Sequence, residues 1–466
     1  MPSRLPQWRR PDWLVPLLVF LGSSAGMHLV ERTFRIVAKA RLADGFLFQI
    51  WTSNWTMQTM GLEDMQPVGP KALWYDHIYP PLVDSIRYLL AMPEISAGQP
   101  ASQMSVDFRL YVVYTLCFGA VNTVVYLWIR DLTRSGWWAL AGTVIWAISP
   151  GYLTIIMLLE ASPPALAFIA CAFYLLYRFL KTRRLGYSTA FFVALLLGSY
   201  TRNIAQTHVL VIVVIAFIAF WFLSTRRAWW MQALSLIVVA LMFALPVKQY
   251  VMFATTDVST YGGYQRAGML WIDPRTVPTP AEWPANINAN ATTFSSRYNT
   301  QETMKDNYRL TAAANAYLVE HPVDAVRALG RSLTITVPEM LKPTSSYTEN
   351  FLVDVLPWRP VYDWLFSGWR YLLLVLGSVA VVGFSRGWSG SLRLLRRYGW
   401  FLVFYALIAA PVLWSNRYYP GREDEGPIWT EAVRLKIFIE VPLYVGLVYA
   451  VWVAVGALRR RAPAGS

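Results

Sequence analysis

Two carboxylates sit where apolar runs end. Asp44 lies in Leu42-Ala43-Asp44-Gly45, soon after the first long apolar run, and Glu160 lies in Leu158-Leu159-Glu160-Ala161-Ser162-Pro163-Pro164, between two more. Arg202 and Arg434 have a comparable placement, Lys436 and Arg266 are further candidate cations, and His77 falls within Tyr75-Asp76-His77-Ile78-Tyr79-Pro80-Pro81-Leu82. A carboxylate can take a proton from a nucleophile, and a guanidinium can grip a phosphate through two parallel hydrogen bonds. Ionisable groups at a membrane boundary are functional candidates by default. Each also has a plainer reading. Asp44 suits the positive end of a helix, an Arg near a helix end reaches lipid headgroups, and a lone loop His is commonly structural or solvated.

The elements that must position these groups are apolar and long. Of 466 residues, 56% are hydrophobic and only 15% are charged, against about 25% charged in soluble domains. That excludes a soluble enzyme, a disordered chain and a disulfide-rich module. A helix needs about 20 mostly apolar residues to cross a hydrocarbon core of ~30 Å. Runs that meet or approach this cover 13–30, 108–129, 137–158, 163–180, 187–200, 208–223, 229–252, 369–384, 400–413 and 435–457. The expected fold is therefore an all-α polytopic membrane protein of about ten spans. The first run follows a basic N-terminus and reads as an uncleaved helix, although a signal peptide would share that pattern. Cys117 and Cys171 both fall inside apolar runs and form no disulfide framework.

The chain has 41 Lys+Arg against 27 Asp+Glu, a formal net charge of +14. In a soluble protein that would suggest nucleic acid. Here 18 of the basic and only two of the acidic residues fall on one side of the bilayer, in the short segments 1–12, 130–136, 178–186, 224–228, 385–399 and 458–466. By the positive-inside rule that side is cytoplasmic, with both termini there, and no nucleic-acid partner is needed. The opposite side receives segments 31–107, 253–366 and 414–434. Within the first, Leu47, Trp51 and Trp55 repeat at helical spacing, as in an amphipathic helix lying on the membrane surface. Within the second, residues 301–341 read as two helices parted at His321-Pro322. Three regions follow: 1–252 with its outer loop 31–107, an outer segment 253–366, and C-terminal spans in 367–466. No phosphate-binding Gly-Lys loop, dinucleotide fingerprint or His-Glu-x-x-His occurs.

A first span, an acid at the head of an amphipathic helix, Tyr79-Pro80-Pro81-Leu82, and then short-looped spans resemble the GT-C superfamily of integral membrane glycosyltransferases. Its mannosyl-, aminoarabinosyl- and arabinosyltransferase branches use polyprenyl-phosphate-linked sugars. The resemblance implies Asp44 as catalytic base and Glu160 as a second acid. It also implies Arg202, Arg434, Lys436, Arg266 and His77 as candidates for the donor phosphate, and Tyr75, Tyr79 and Tyr264 for sugar or acceptor. Gly198-Ser199-Tyr200-Thr201-Arg202-Asn203 and Glu431-Ala432-Val433-Arg434-Leu435-Lys436 resemble further charged segments of the family beside late spans. Two departures stand out. Position 79 is Tyr where aminoarabinose transferases carry Lys, and the paired acids of the first loop are reduced to Asp44-Gly45, so a divalent metal is not indicated and no cofactor is assigned.

The expected function is inverting transfer of a sugar, arabinofuranose or mannose being the candidates. It would pass from a polyprenyl-phosphate donor to a protein, glycan or lipid acceptor outside the cytoplasmic membrane. A transporter or flippase of a lipid-linked sugar and a lipid-linked polymer ligase are the alternatives. Transporters favour two repeated halves with matched broken spans, and the halves here differ.

Overall fold

A computed structural model describes residues 13–39, 59–157, 159–203, 207–225, 228–296, 299–346, 356–418 and 428–461. Asp44 and the amphipathic stripe around Trp51 lie outside the described residues. The helices are α1 (Leu14–Lys39), α2 (Leu62–Val68), α3 (Lys71–Tyr75), α4 (Leu82–Ser96), α5 (Gln103–Thr133), α6 (Gly136–Ala147), α7 (Pro150–Ile156), α8 (Ser162–Thr182), α9 (Leu185–Thr201) and α10 (Thr207–Leu223). They continue as α11 (Trp229–Phe253), α12 (Gly262–Leu270), α13 (Ala285–Asn290), α14 (Gln301–Glu320), α15 (Pro322–Leu341), α16 (Arg359–Leu365), α17 (Gly368–Leu413), α18 (Ala432–Leu435) and α19 (Ile437–Arg461). The only strands among the described residues are β1 (Asn416–Tyr418) and β2 (Ile428–Thr430), an antiparallel pair.

Six of these helices, α1, α5, α8, α11, α17 and α19, are long and apolar enough to cross a membrane. The expected third span, 137–158, is instead α6 and α7, bent by 63° to one another. Ser149 accepts from the Tyr152 amide and Pro150 starts α7, so this dipeptide begins a new helix rather than continuing the old one. Counted as one span, the pair makes seven. The expected fifth and sixth spans are the shorter apolar helices α9 and α10. Those expected at 369–384 and 400–413 both lie in α17, which breaks helical geometry at Gly387, with φ of 66°, and at Tyr398.

At the centre, α8 runs through the bundle with Ala165, Leu166, Phe173 and Phe179 fully enclosed. Around it pack α5, α9, α17 and α19. The seam between α1 and α5 is close enough that a Cβ at Gly119 would meet the Ser24 Oγ at 2.2 Å and the Phe20 carbonyl at 2.8 Å, so only glycine fits there. Basic residues gather at one end of the bundle: Arg178 pairs with Asp131 at 2.8 Å, and Arg397 donates to the Lys181 carbonyl.

The short helices of segments 31–107 and 253–366 gather at the other end. Met60, Met65, Ile78, Tyr79 and Phe294 form one small core that joins the two outer segments. Three bonds clamp the turn after α3 onto them: the His77 amide donates to Asn299 Oδ1 at 2.9 Å, the Thr260 amide donates to the His77 carbonyl at 2.9 Å, and Lys248 near the C-terminal end of α11 donates to the Asp76 carbonyl at 2.5 Å. Buried Asp84 and Arg87 on α4 hold both the amide and the carbonyl of Met60. The break between α14 and α15 falls at His321-Pro322, where the sequence places it.

Candidate functional site

The hairpin is small, but it decides where charge is placed. Pairing Asn416 with Thr430 brings Ser415, just after α17, next to Glu431, just before α18. Asn416 fixes the hairpin to α15, accepting from the Thr336 hydroxyl at 2.9 Å and donating to the Ser332 carbonyl at 3.2 Å. Helix α18 then presents Arg434 three residues after Glu431, so the two side chains share one helical face. On the opposing wall, α9 ends at Thr201 and Arg202 follows in extended conformation as its C-cap.

Two glutamates and two arginines meet here, each about one-twentieth exposed. Arg434 donates to Glu160 Oε2 at 2.7 Å and to Glu431 Oε2 at 2.5 Å. The Ser162 hydroxyl donates to Glu160 and accepts from Arg202. Arg202 Nη2 lies 3.8 Å from Glu431 Oε2, and its guanidinium sits 5.3 Å from the Phe438 ring centre. The Tyr114 hydroxyl donates to the Glu160 carbonyl at 2.5 Å, tying the loop before α8 to α5. Two positive and two negative charges leave the cluster neutral, the condition under which buried ions are tolerated.

Beside it opens a cleft of about 720 Å³. It is lined by Arg202, Glu431, Asn203 and Gln265, by the rings of Tyr79 and Tyr261, centred 6.0 Å apart, and by Ile408, Val412, Leu435 and Phe438. Among the described residues the Oδ1 of Asn203 has no donor. The cleft therefore offers a guanidinium beside a carboxylate, open hydrogen-bonding capacity, aromatic faces and aliphatic surface. A ligand that matches it is an anionic, polar head on an apolar tail. No group of three or more His, Cys, Asp or Glu side chains suited to a metal occurs among the described residues.

The residues singled out in the sequence divide. Arg202 and Tyr79 line the cleft; Glu160 and Arg434 stand behind that wall, holding each other and, through Ser162 and Glu431, holding Arg202. The others are drawn elsewhere. Lys436 donates to the carbonyls of Met340 and Lys342 and lies 3.5 Å from Glu440. Arg266 is paired with Asp257, which also accepts from the Thr311 hydroxyl. Tyr264 donates to Asp306 at 2.5 Å, and Tyr75 packs against the small core of Met252, Phe253, Ile287, Ala291 and Met304.

His77 is fully enclosed, its ring 5.1 Å from that of Phe253, and neither ring nitrogen has a partner among the described residues. Burial pushes its pKa down to about 3, and the Lys248 ammonium adds to the effect. Burial also pushes Asp76 up to about 7, with Asp84 adding to the rise. Sequence reasoning gave no site role to Glu431, Ser162, Asn203 or Gln265. The signal for Glu431 was its helical spacing of three from Arg434, and for Ser162 its place two residues beyond Glu160.

Comparison with protein-family models, with curated proteins and with solved structures finds no match to the chain.

Removing one member of the neutral cluster exposes its logic. Glu160→Ala leaves Arg434 and Ser162 short of an acceptor, and breaking a buried pair in this way costs about 3–5 kcal/mol. Unfolding in detergent micelles is expected to show a loss of that order, with a smaller one for Glu160→Gln, which keeps an oxygen in place. Equal stability of Glu160→Ala and wild type would remove the cluster from the account of the fold. For His77 the folded pKa lies below the unfolded value of 6.5, so its contribution is present above pH 6.5 and fades as the pH falls toward 3. The melting temperature of wild type minus that of His77→Gln is expected to fall between pH 7 and pH 4, with a slope approaching ~1.4 kcal/mol per pH unit in free energy. A flat difference would contradict neutral burial of this ring.

Proposed function

We propose that the protein is an integral membrane glycosyltransferase of the GT-C kind. It moves a sugar from a polyprenyl-phosphate donor to an acceptor hydroxyl on the extracytoplasmic side. The observation that carries the reading is the cleft lined by Arg202, hydrogen-bonding side chains and aromatic rings together with aliphatic surface. A polyprenyl phosphate presents both kinds of surface. The basic end of the bundle, with Arg178, Lys181 and Arg397, supports a cytoplasmic assignment for that side, which leaves the cleft and the outer helices on the other.

In this reading Arg202 holds the phosphate, its geometry set by the Ser162 hydroxyl and by Glu431. Tyr79 and Tyr261 take the C–H face of the sugar, while Asn203, Gln265 and Ser259 bind its hydroxyls. Asp44 is the base. The acceptor oxygen bonds to the anomeric carbon from the side opposite the phosphate, Asp44 takes the hydroxyl proton, and the C–O bond to phosphate breaks with its electron pair remaining on the polyprenyl phosphate. The product is inverted at that carbon. Stabilising the departing anion is commonly the larger contribution, which puts Arg202 ahead of the base in effect. Arabinofuranose and mannose are the candidate sugars, with a protein, glycan or lipid as acceptor. Glu160 and Arg434 are positioning residues.

The bend between α6 and α7 favours transport as the second reading, since transporters place broken helices at their substrate sites. The residues of that bend, however, are absent from the wall of the Arg202 cleft. The test uses purified protein in lipid nanodiscs with a panel of radiolabelled polyprenyl-phosphate sugars and candidate acceptors. Wild type is expected to transfer label, Arg202→Gln to lose about 10²–10³-fold in turnover, and Asp44→Asn to lose about 10²–10⁴-fold. Uptake into sealed vesicles without transfer would replace the enzyme with a transporter, and transfer unaffected by Asp44→Asn would remove the base.

A further inference from the structure

A second cavity, of about 550 Å³, lies where α6 and α7 part. Helix α19 supplies Glu440, Leu443, Tyr444 and Leu447, one face at spacings of three and four residues. Helix α17 supplies Tyr371, Leu374 and Val375 in the same rhythm, and Trp146 at the end of α6 completes the wall. Because Leu435 and Phe438 line the Arg202 cleft, the α18–α19 segment serves a different cavity on each of two faces.

Two observations fix what this crevice would take. Its carboxylates are already balanced: Glu440 lies 3.5 Å from the Lys436 ammonium and accepts from the Thr344 hydroxyl at 3.2 Å, while Asp363 accepts from Arg359 at 3.0 Å and from Ser345 at 2.8 Å. A cationic head would find no uncompensated charge, and an anionic one would face two carboxylates. The second observation is a buried donor without an acceptor. Trp146 is 2% exposed, and its indole N–H has no partner among the described residues. An indole N–H buried without an acceptor is costly, so an oxygen that reaches it favours binding. Leu374, Val375, Leu443 and Leu447 supply aliphatic surface for a chain. On the outer side of α17, Leu372 and Leu373 are about half exposed, as expected of a helix facing lipid.

We propose that this crevice binds an uncharged, single-chain amphiphile with a hydroxylated head, drawn from the bilayer. A head hydroxyl donates to Glu440, a head oxygen accepts from Trp146, and the acyl chain lies between α17 and α19. The site is separate from the Arg202 cleft and rests on no part of the glycosyltransferase reading.

A photoactivatable monoacylglycerol tests this with the full-length protein in phosphatidylcholine nanodiscs. Labelled peptides are expected from residues 370–386 and 437–459. Excess unlabelled monoacylglycerol should compete, and a lysophosphatidic acid of the same chain length should not. Trp146→Phe keeps the ring but loses the donor and is expected to reduce labelling about tenfold, the worth of one hydrogen bond. Leu443→Trp fills the crevice and is expected to abolish labelling. Equal competition by the anionic lipid, labelling spread over helices that do not line the crevice, or labelling unchanged in both variants would each overturn the proposal. The ligand competition in wild type decides the question even where a variant fails to fold. Since no transfer is measured, failure here leaves the reading of the Arg202 cleft untouched.

Discussion

Four charges buried at one end of a hydrophobic bundle have to sum to zero, and the arrangement around them follows from that requirement. Glu160 and Glu431 share Arg434, and Arg202 reaches the same group through Ser162. The four side chains come from three parts of the chain: Glu160 from the loop before α8, Arg202 from the end of α9, and Glu431 and Arg434 from the hairpin exit into α18. The cluster therefore ties the first half of the chain to the last fifty residues at the level where the outer helices begin. Its neutrality also explains how a cation comes to line a cleft. Arg202 is held by a hydroxyl and by a carboxylate 3.8 Å away rather than by a close ion pair of its own. A guanidinium so placed is ordered yet retains electrostatic reach toward an incoming anion, the preorganisation from which transition-state stabilisation derives.

Much of the scaffold was legible in the sequence because membrane helices announce themselves through composition. Long apolar runs locate α1, α5, α8, α11 and α19, and His321-Pro322 marks the α14–α15 break through the stereochemistry of proline. The same signal stood at Ser149-Pro150-Gly151 inside an apolar run and was outweighed by hydropathy, which cannot distinguish a straight span from a bent pair. Strands of three residues carry too little pattern to read, so the hairpin that brings Ser415 and Glu431 together was invisible.

The site was legible in part for a similar reason. Arg202 and Arg434 were found because they terminate or begin apolar helices. Their neighbours were not, because partner choice depends on contacts remote in sequence. Tyr264 bonds to Asp306, 42 residues on, and Lys436 turns to the carbonyls of Met340 and Lys342, over 90 residues back. Each cation in an outer segment looks equally able to meet a phosphate until the fold assigns it a carboxylate or a carbonyl. Arg266 and Lys436 are turned to such partners away from the cleft, whereas Arg202, though held by Ser162 and Glu431, also lines it.

The central claim is that Arg202 recognises a lipid phosphate. Equilibrium binding of a polyprenyl monophosphate and of the matching polyprenol to the purified protein in nanodiscs tests it most directly. Wild type should prefer the phosphate by at least about tenfold, the worth of a charge-assisted hydrogen bond. Arg202→Gln, with its fold checked by melting, should bind the two lipids alike. A phosphate preference that survives intact in Arg202→Gln would contradict the account.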